Sequence, residues 1–219
     1  MTDTTPRKRC VFGALNHSAL VEELQPLHRK ATRTGQSEEA AAALRALLVR
    51  HGGTPPSSVQ EQIDKLLNAV QSQRWLRAPA GVLIEHLYID GEAREATDHF
   101  EDFDAAAEFF FRWDEERTAR LLEFFSTLSE HTLPWASHGD TWRAALPHEA
   151  VCDASAAMNE LTRRDVQRLL ADAEGGGVFS EDEANAFADW WDHLRAVLRV
   201  AKRSELGFYI CIRPAASPA

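Results

Sequence analysis

A chain of 219 residues with 44% hydrophobic and 26% charged side chains has the composition of a globular domain with a sizeable core, not of a disordered chain. Its formal net charge of −10 argues against a nucleic-acid partner, because phosphate binding needs a basic footprint, and it suits a basic protein partner reached by electrostatic steering. Three widely spaced cysteines, Cys10, Cys152 and Cys211, fit reduced thiols in a cytosolic protein better than a disulfide framework.

Arg7-Lys8-Arg9 ahead of the apolar run Cys10–Leu15 has the polarity of a signal peptide. The run is too short, however, and Asn16-His17-Ser18 ends it. No stretch approaches the roughly 20 apolar residues a membrane helix requires, so a cytoplasmic protein without a membrane partner is expected. Residues 1–9 read as a disordered start and 213–219 as a disordered tail, with 10–212 forming one domain. Cys10–Leu15 reads as a short strand. Asn16 or Ser18 can cap a helix through Leu20, Leu24 and Leu27, although Pro26 interrupts its middle. Ser37 reads as the N-cap of an alanine-rich helix over Ala40–Arg50, ended by Gly52-Gly53 and Pro55-Pro56. Ser57 or Ser58 opens the next helix, with Val59, Ile63, Leu66, Val70 and Trp75 on one stripe until Pro79-Ala80-Gly81 breaks it.

Val82–Ile89 has the β-branched and aromatic content of a strand, with a continued helix as the alternative because Glu85-His86 is awkward in a buried strand. The most distinctive segment follows. Within Asp98–Leu128, apolar residues such as Phe103, Ala107, Phe110, Leu121, Phe124 and Leu128 recur at helical spacing. The opposite face carries Asp98, Glu101, Asp102, Asp104, Glu108 and Glu115, with Asp114 and Glu116 beside them. Such a face is solvated or paired with cations, and those first six carboxylates are the candidate partner-binding residues.

Thr132–Pro147 reads as a long ordered loop containing Trp135 and Trp142. His148 or Asp153 leads into a helical region, and Leu161–Ala173 is a helix capped by Thr162. Ser180 and Glu183 have the spacing of a capping box. The long helix beyond buries Phe187, Trp190, Trp191, Leu194, Leu198 and Ala201. Gly207–Ile212 is the best strand of the sequence, and its pairing with Cys10–Leu15 would bring both ends of the chain together. The fold class is thus α+β, predominantly helical, a single compact domain with two or three short strands.

Asp172-Ala173-Glu174-Gly175-Gly176-Gly177-Val178-Phe179-Ser180-Glu181-Asp182-Glu183 resembles the calcium loop of EF-hand proteins. Asp172 stands at the first position, Gly177 at the sixth and Glu183 at the twelfth, while Gly176 leaves the fifth without a ligand. A glycine-rich helix stop followed by a helix cap produces the same letters without metal, and that reading, with no cofactor, is preferred over calcium. His131, His138 and His148 flank the Trp-rich loop without zinc-ligand spacing, and Ser137-His138-Gly139-Asp140 lacks a nucleophile elbow. No catalytic residue is assigned.

The helix start Trp113-Asp114-Glu115-Glu116 and its continuation within Phe111–Leu133, together with Trp190–Ile212, resemble the middle helix and the C-terminal helix and strand of the YfbM-like bacterial proteins of unknown function. Ile63-Asp64-Lys65-Leu66-Leu67 is similar to a third helix of that family, though without the Trp that usually follows it. The resemblance implies a compact α+β domain of unassigned activity, with some relatives suspected as antitoxins. The expectation is a non-enzymatic cytosolic binding protein, an acidic immunity or inhibitor protein that neutralises a basic partner such as a bacterial toxin. The alternatives are an enzyme with its site near the loop 135–148, or a calcium-responsive binding module.

Overall fold

A computed structural model describes residues 8–51, 55–97, 126–159, 161–171 and 181–214. Its centre is a four-stranded antiparallel sheet in the order β2-β1-β4-β3, made of β1 (Lys8–Leu15), β2 (Ile89–Thr97), β3 (Trp142–Leu146) and β4 (Gly207–Pro214). The expected pairing of the first and last strands is present: β1 and β4 lie side by side, from Lys8 opposite Pro214 to Leu15 opposite Gly207. Between β1 and β2 the register slips between Phe12 and Ala14, where these three residues of β1 face the five-residue stretch Asp90–Arg94.

Alternation along the strands divides the interior into two cores. Phe12, Ala14, Ala144, Leu146, Phe208 and Ile210 face one way, while Val11, Leu15, Ala145, Tyr209 and Cys211 face the other. Helices cover both faces, which is why Phe208–Ile212 reads as a continuous apolar run. On the first face lie α6 (His148–Asn159), α7 (Arg163–Ala171) and α8 (Glu181–Arg203). Phe187, Trp190, Trp191, Leu194, Leu198 and Ala201 of α8 are buried there as their spacing predicts, and the Trp191 indole N–H donates to the Leu161 carbonyl at 3.0 Å. Leu128, in the middle of a helical turn over 126–130, joins the same core. The second face is covered by the chain between β1 and β2: α1 (His17–Ala19), a π-helical turn (Leu20–Leu24), α2 (Gln25–Ala31), α3 (Ser37–His51), α4 (Ser57–Gln71) and α5 (Arg77–Leu87).

Several local expectations hold in detail. The Asn16 side chain accepts from the Ala19 N–H at 3.1 Å and caps α1. Thr162 and Asp165 bond reciprocally at the start of α7: the Asp165 N–H donates to Thr162 Oγ1 at 3.3 Å, and the Thr162 N–H to Asp165 Oδ2 at 2.8 Å. Others need correction. Ser37 is the first helical residue of α3 instead of its cap. Trp75 lies beyond α4, which ends at Gln71 before Gln73 takes a φ of 57°. Val82–Leu87 is helix, as the alternative reading had it; Pro79 and Gly81 belong to the opening turns of α5 and do not break it, because a proline there loses no hydrogen bond. The strand lies just after, at Ile89–Thr97. Thr132–Pro147 is a hairpin-like excursion, not a plain loop: Thr132 bridges Ala144, His138 bridges Thr141, and Trp142–Leu146 becomes β3. No helix among the described residues is long and apolar enough to cross a membrane.

Candidate functional site

Pro26 has no N–H, and its ring would collide with the carbonyl four residues earlier in a regular helix. The chain avoids this with a π turn: the Gln25 N–H reaches back five residues to the Leu20 carbonyl, and Pro26 falls in the first turn of α2. The widened turn carries Glu23 to the ends of α3 and α5. Its Oε1 accepts from Arg50 Nη1 at 2.7 Å, and its Oε2 accepts from His51 Nε2 at 3.0 Å and from the Tyr88 hydroxyl at 3.3 Å. The His51 hydrogen bond, followed by those of Tyr88 and the Arg50 charge, holds the Glu23 carboxyl below the usual carboxylate range against the opposing effect of burial. Burial, and then the Glu23 charge, pushes the Tyr88 phenol up, so it remains a donor.

His51 stands edge-on to the Tyr88 ring at 5.4 Å and lines an open hollow of about 400 Å³ between α3, α4 and α5. Leu48, Ile63 and Leu87 give the hollow apolar walls, and His51, His86 and Gln60 supply polar groups. A carboxylate only accepts, so His51 Nε2 carries the hydrogen and a neutral ring leaves its lone pair on Nδ1. Chemically this is an oriented imidazole beside a mixed surface, suited to hydrogen-bonding a small polar group.

A second polar cluster lies under the sheet. Arg143 on β3 is only 4% exposed. Its Nε donates to the Tyr209 hydroxyl oxygen at 2.9 Å and its Nη1 to the Ala136 carbonyl at 2.8 Å. The Tyr209 hydroxyl in turn donates to Glu85 Oε1 at 2.9 Å, and Glu85 lies 3.6 Å from both Arg143 Nη2 and Arg213 Nη1. Burial opposes the Arg143 charge, yet Tyr209, Cys211 and Glu85 together raise its pKa; burial and then Glu85 raise that of Tyr209 well above the ordinary phenol value. Neither changes charge near neutral pH. This cluster joins α5, β3, β4 and the turn at Ala136 as structure, and it explains the awkward Glu85 of the sequence.

No family model, curated protein or solved structure matches this chain.

The candidate partner-binding residues Asp98, Glu101, Asp102, Asp104, Glu108 and Glu115 lie outside the described residues, as do Asp172–Ser180 of the calcium-like stretch. The segment 98–125 runs between two fixed points: the last residue of β2, Thr97, pairs with Arg9, and Leu128 is buried. In the loop 135–148, Trp135 and Ala136 enter the core, and Ser137 Oγ accepts the Arg143 N–H at 3.0 Å, so its hydroxyl serves the backbone. Among the described residues no cluster of three or more His, Cys, Asp and Glu side chains is placed to hold a metal. Sequence reasoning passed over the Glu23–His51–Tyr88 cluster, whose members are too far apart in the chain for any spacing rule. The one local signal was Pro26 inside an amphipathic helix.

Proposed function

We propose that this is a non-enzymatic binding protein of the cytoplasm, an acidic immunity or inhibitor protein that neutralises a basic protein partner such as a bacterial toxin. The observation that carries the reading is the distribution of charge. Residues 98–125 hold nine Asp and Glu against three Arg, a net of −6 in a chain whose total is −10. Aromatic side chains lie among those carboxylates, the composition of an interface with anchors ringed by charge. These ionic groups lend support, because Arg143, Glu85 and Glu23 are committed to intramolecular partners that hold the scaffold. The resemblance to YfbM-like proteins, some suspected as antitoxins, points the same way. In this reading Asp172–Glu183 is a helix stop and cap that takes no calcium.

The test is capture by the intact protein from its native host, identification of the basic protein retained, and kinetics with the purified pair. The triple variant Asp102→Lys, Glu108→Lys, Glu115→Lys should slow association about tenfold or more at low salt, and less at physiological salt. Association of the variant at the wild-type rate in low salt would rule out this face.

A further inference from the structure

The three thiols are free, and they differ in their surroundings. Burial pushes the Cys10 thiol up to about 12 and the Cys211 thiol up to about 11, so both resist ionisation. Cys152 is partly exposed and sits on α6 one turn after His148, the spacing that places two side chains on one helix face. Its Sγ lies 3.6 Å from His148 Nε2. The other ring nitrogen, Nδ1, lies 3.3 Å from the Leu206 carbonyl oxygen. A carbonyl only accepts, so Nδ1 carries the hydrogen, and the lone pair of the neutral ring is on Nε2, facing the thiol. The Leu206 carbonyl is itself held, because the Leu206 N–H donates to the Ala201 carbonyl at 2.9 Å where α8 ends. The backbone before β4 therefore orients an imidazole toward a partly exposed thiol. A nucleophile, a base and a group that orients the base are the three parts of an activated thiol. The carboxylates of α6 near this pair, Glu149 and Asp153, are exposed.

We propose that Cys152 and His148 form a thiol–imidazole pair that exchanges with low-molecular-weight disulfides, making Cys152 a site of reversible S-thiolation. His148 Nε2 takes the proton from Cys152, and the thiolate attacks one sulfur of the disulfide. A new S–S bond forms as the old one breaks, and the leaving thiolate collects the proton from the imidazolium. Cys152 sulfur is oxidised to the disulfide level while the departing sulfur is reduced to a thiol. Attack by a second small thiol on the mixed disulfide reverses the step. His148 acts through the thiol and is a positioning residue and proton acceptor, independent of the partner-binding segment.

The experiment exposes the native full-length protein to oxidised glutathione at neutral pH, quenches with acid and maps the adducts by mass spectrometry. One glutathione should appear on Cys152 at least about tenfold faster than on Cys10 or Cys211. His148→Gln should slow that step about tenfold, and free imidazole should restore the rate in His148→Ala, a rescue that a purely structural role would not give. The proposal is overturned if Cys152 reacts no faster than Cys10 and Cys211, or if a folded His148→Gln protein reacts at the wild-type rate. Should the His148 variants fail to fold, the ranking of the three thiols in the native protein decides the matter alone.

Discussion

Gly81 is the position at which a single methyl group tests the buried polar cluster. A Cβ built on Gly81 would overlap Cζ, Nε and Nη2 of Arg143, and the guanidinium, enclosed by β3, β4 and the Ala136 turn, cannot swing into solvent. Gly81→Ala therefore sets two effects against each other. Alanine in place of glycine within α5 favours the helix by about 1 kcal/mol. Displacing the guanidinium strips it from Tyr209, Ala136 and Glu85, and breaking a buried ion pair of this kind costs about 3–5 kcal/mol. The second effect dominates, so the variant should lose about 2–4 kcal/mol, which for a chain of this length lowers the melting temperature by roughly 5–15 °C. Urea unfolding followed by tryptophan fluorescence reads the change as a lower midpoint at constant slope. In an Arg143→Ala background the clash is gone, only the helix preference remains, and Gly81→Ala should turn stabilising by about 1 kcal/mol. An unchanged or raised midpoint in the single variant, or the same sign in both backgrounds, would refute the reasoning.

His28 should make stability depend on pH, because its ring stacks on Trp135 at 5.6 Å and meets the edge of Trp75 at 5.2 Å. Burial, then the charges of Arg29 and Arg77, lower its pKa in the fold, so the unfolded chain binds its proton first. The contribution is full above the ordinary histidine pKa of 6.5 and is lost as pH falls from there through the folded value. His28→Phe should flatten the stability profile as pH falls below the ordinary histidine value of 6.5, and an unaltered slope would exclude this origin. Thr162→Ala removes the hydroxyl that accepts the Asp165 N–H, and it should cost about 1 kcal/mol in the same unfolding measurement, with a loss below a few tenths counting against the cap.

The elements most legible in the sequence are those whose local signals and burial agree. The stripe of α8 and the apolar run of β4 each bury what their letters say. Val82–Leu87 misled because β-branched residues suit any enclosed position; what decides between helix and strand there is Glu85, which must reach Tyr209, Arg143 and Arg213 from a helix lying on the sheet. Trp142-Arg143-Ala144-Ala145-Leu146 hid as a strand for the opposite reason. Alanines carry little β preference, and a central Arg looks exposed until its partners are known. Of the sites, the cap at Thr162 is local and readable. The Glu23 cluster and the Cys152–His148–Leu206 arrangement depend on residues that only the fold brings together.

The pairing of β1 with β4 also governs how the chain can reach this state. Among the described strands, the first in chain order sits inside the sheet, and one of its two neighbours is the last. Until β4 emerges, β1 can pair only with β2, and the two cores on either side of the sheet lack a shared wall. The helices α2 to α5, each touching its chain neighbour, are free to assemble early through short-range contacts. Closing the long stretch between β1 and β4 into a loop is the late, entropically demanding step. Until β4 is made, β1 of a nascent chain therefore carries an unfilled strand position, open to other extended segments.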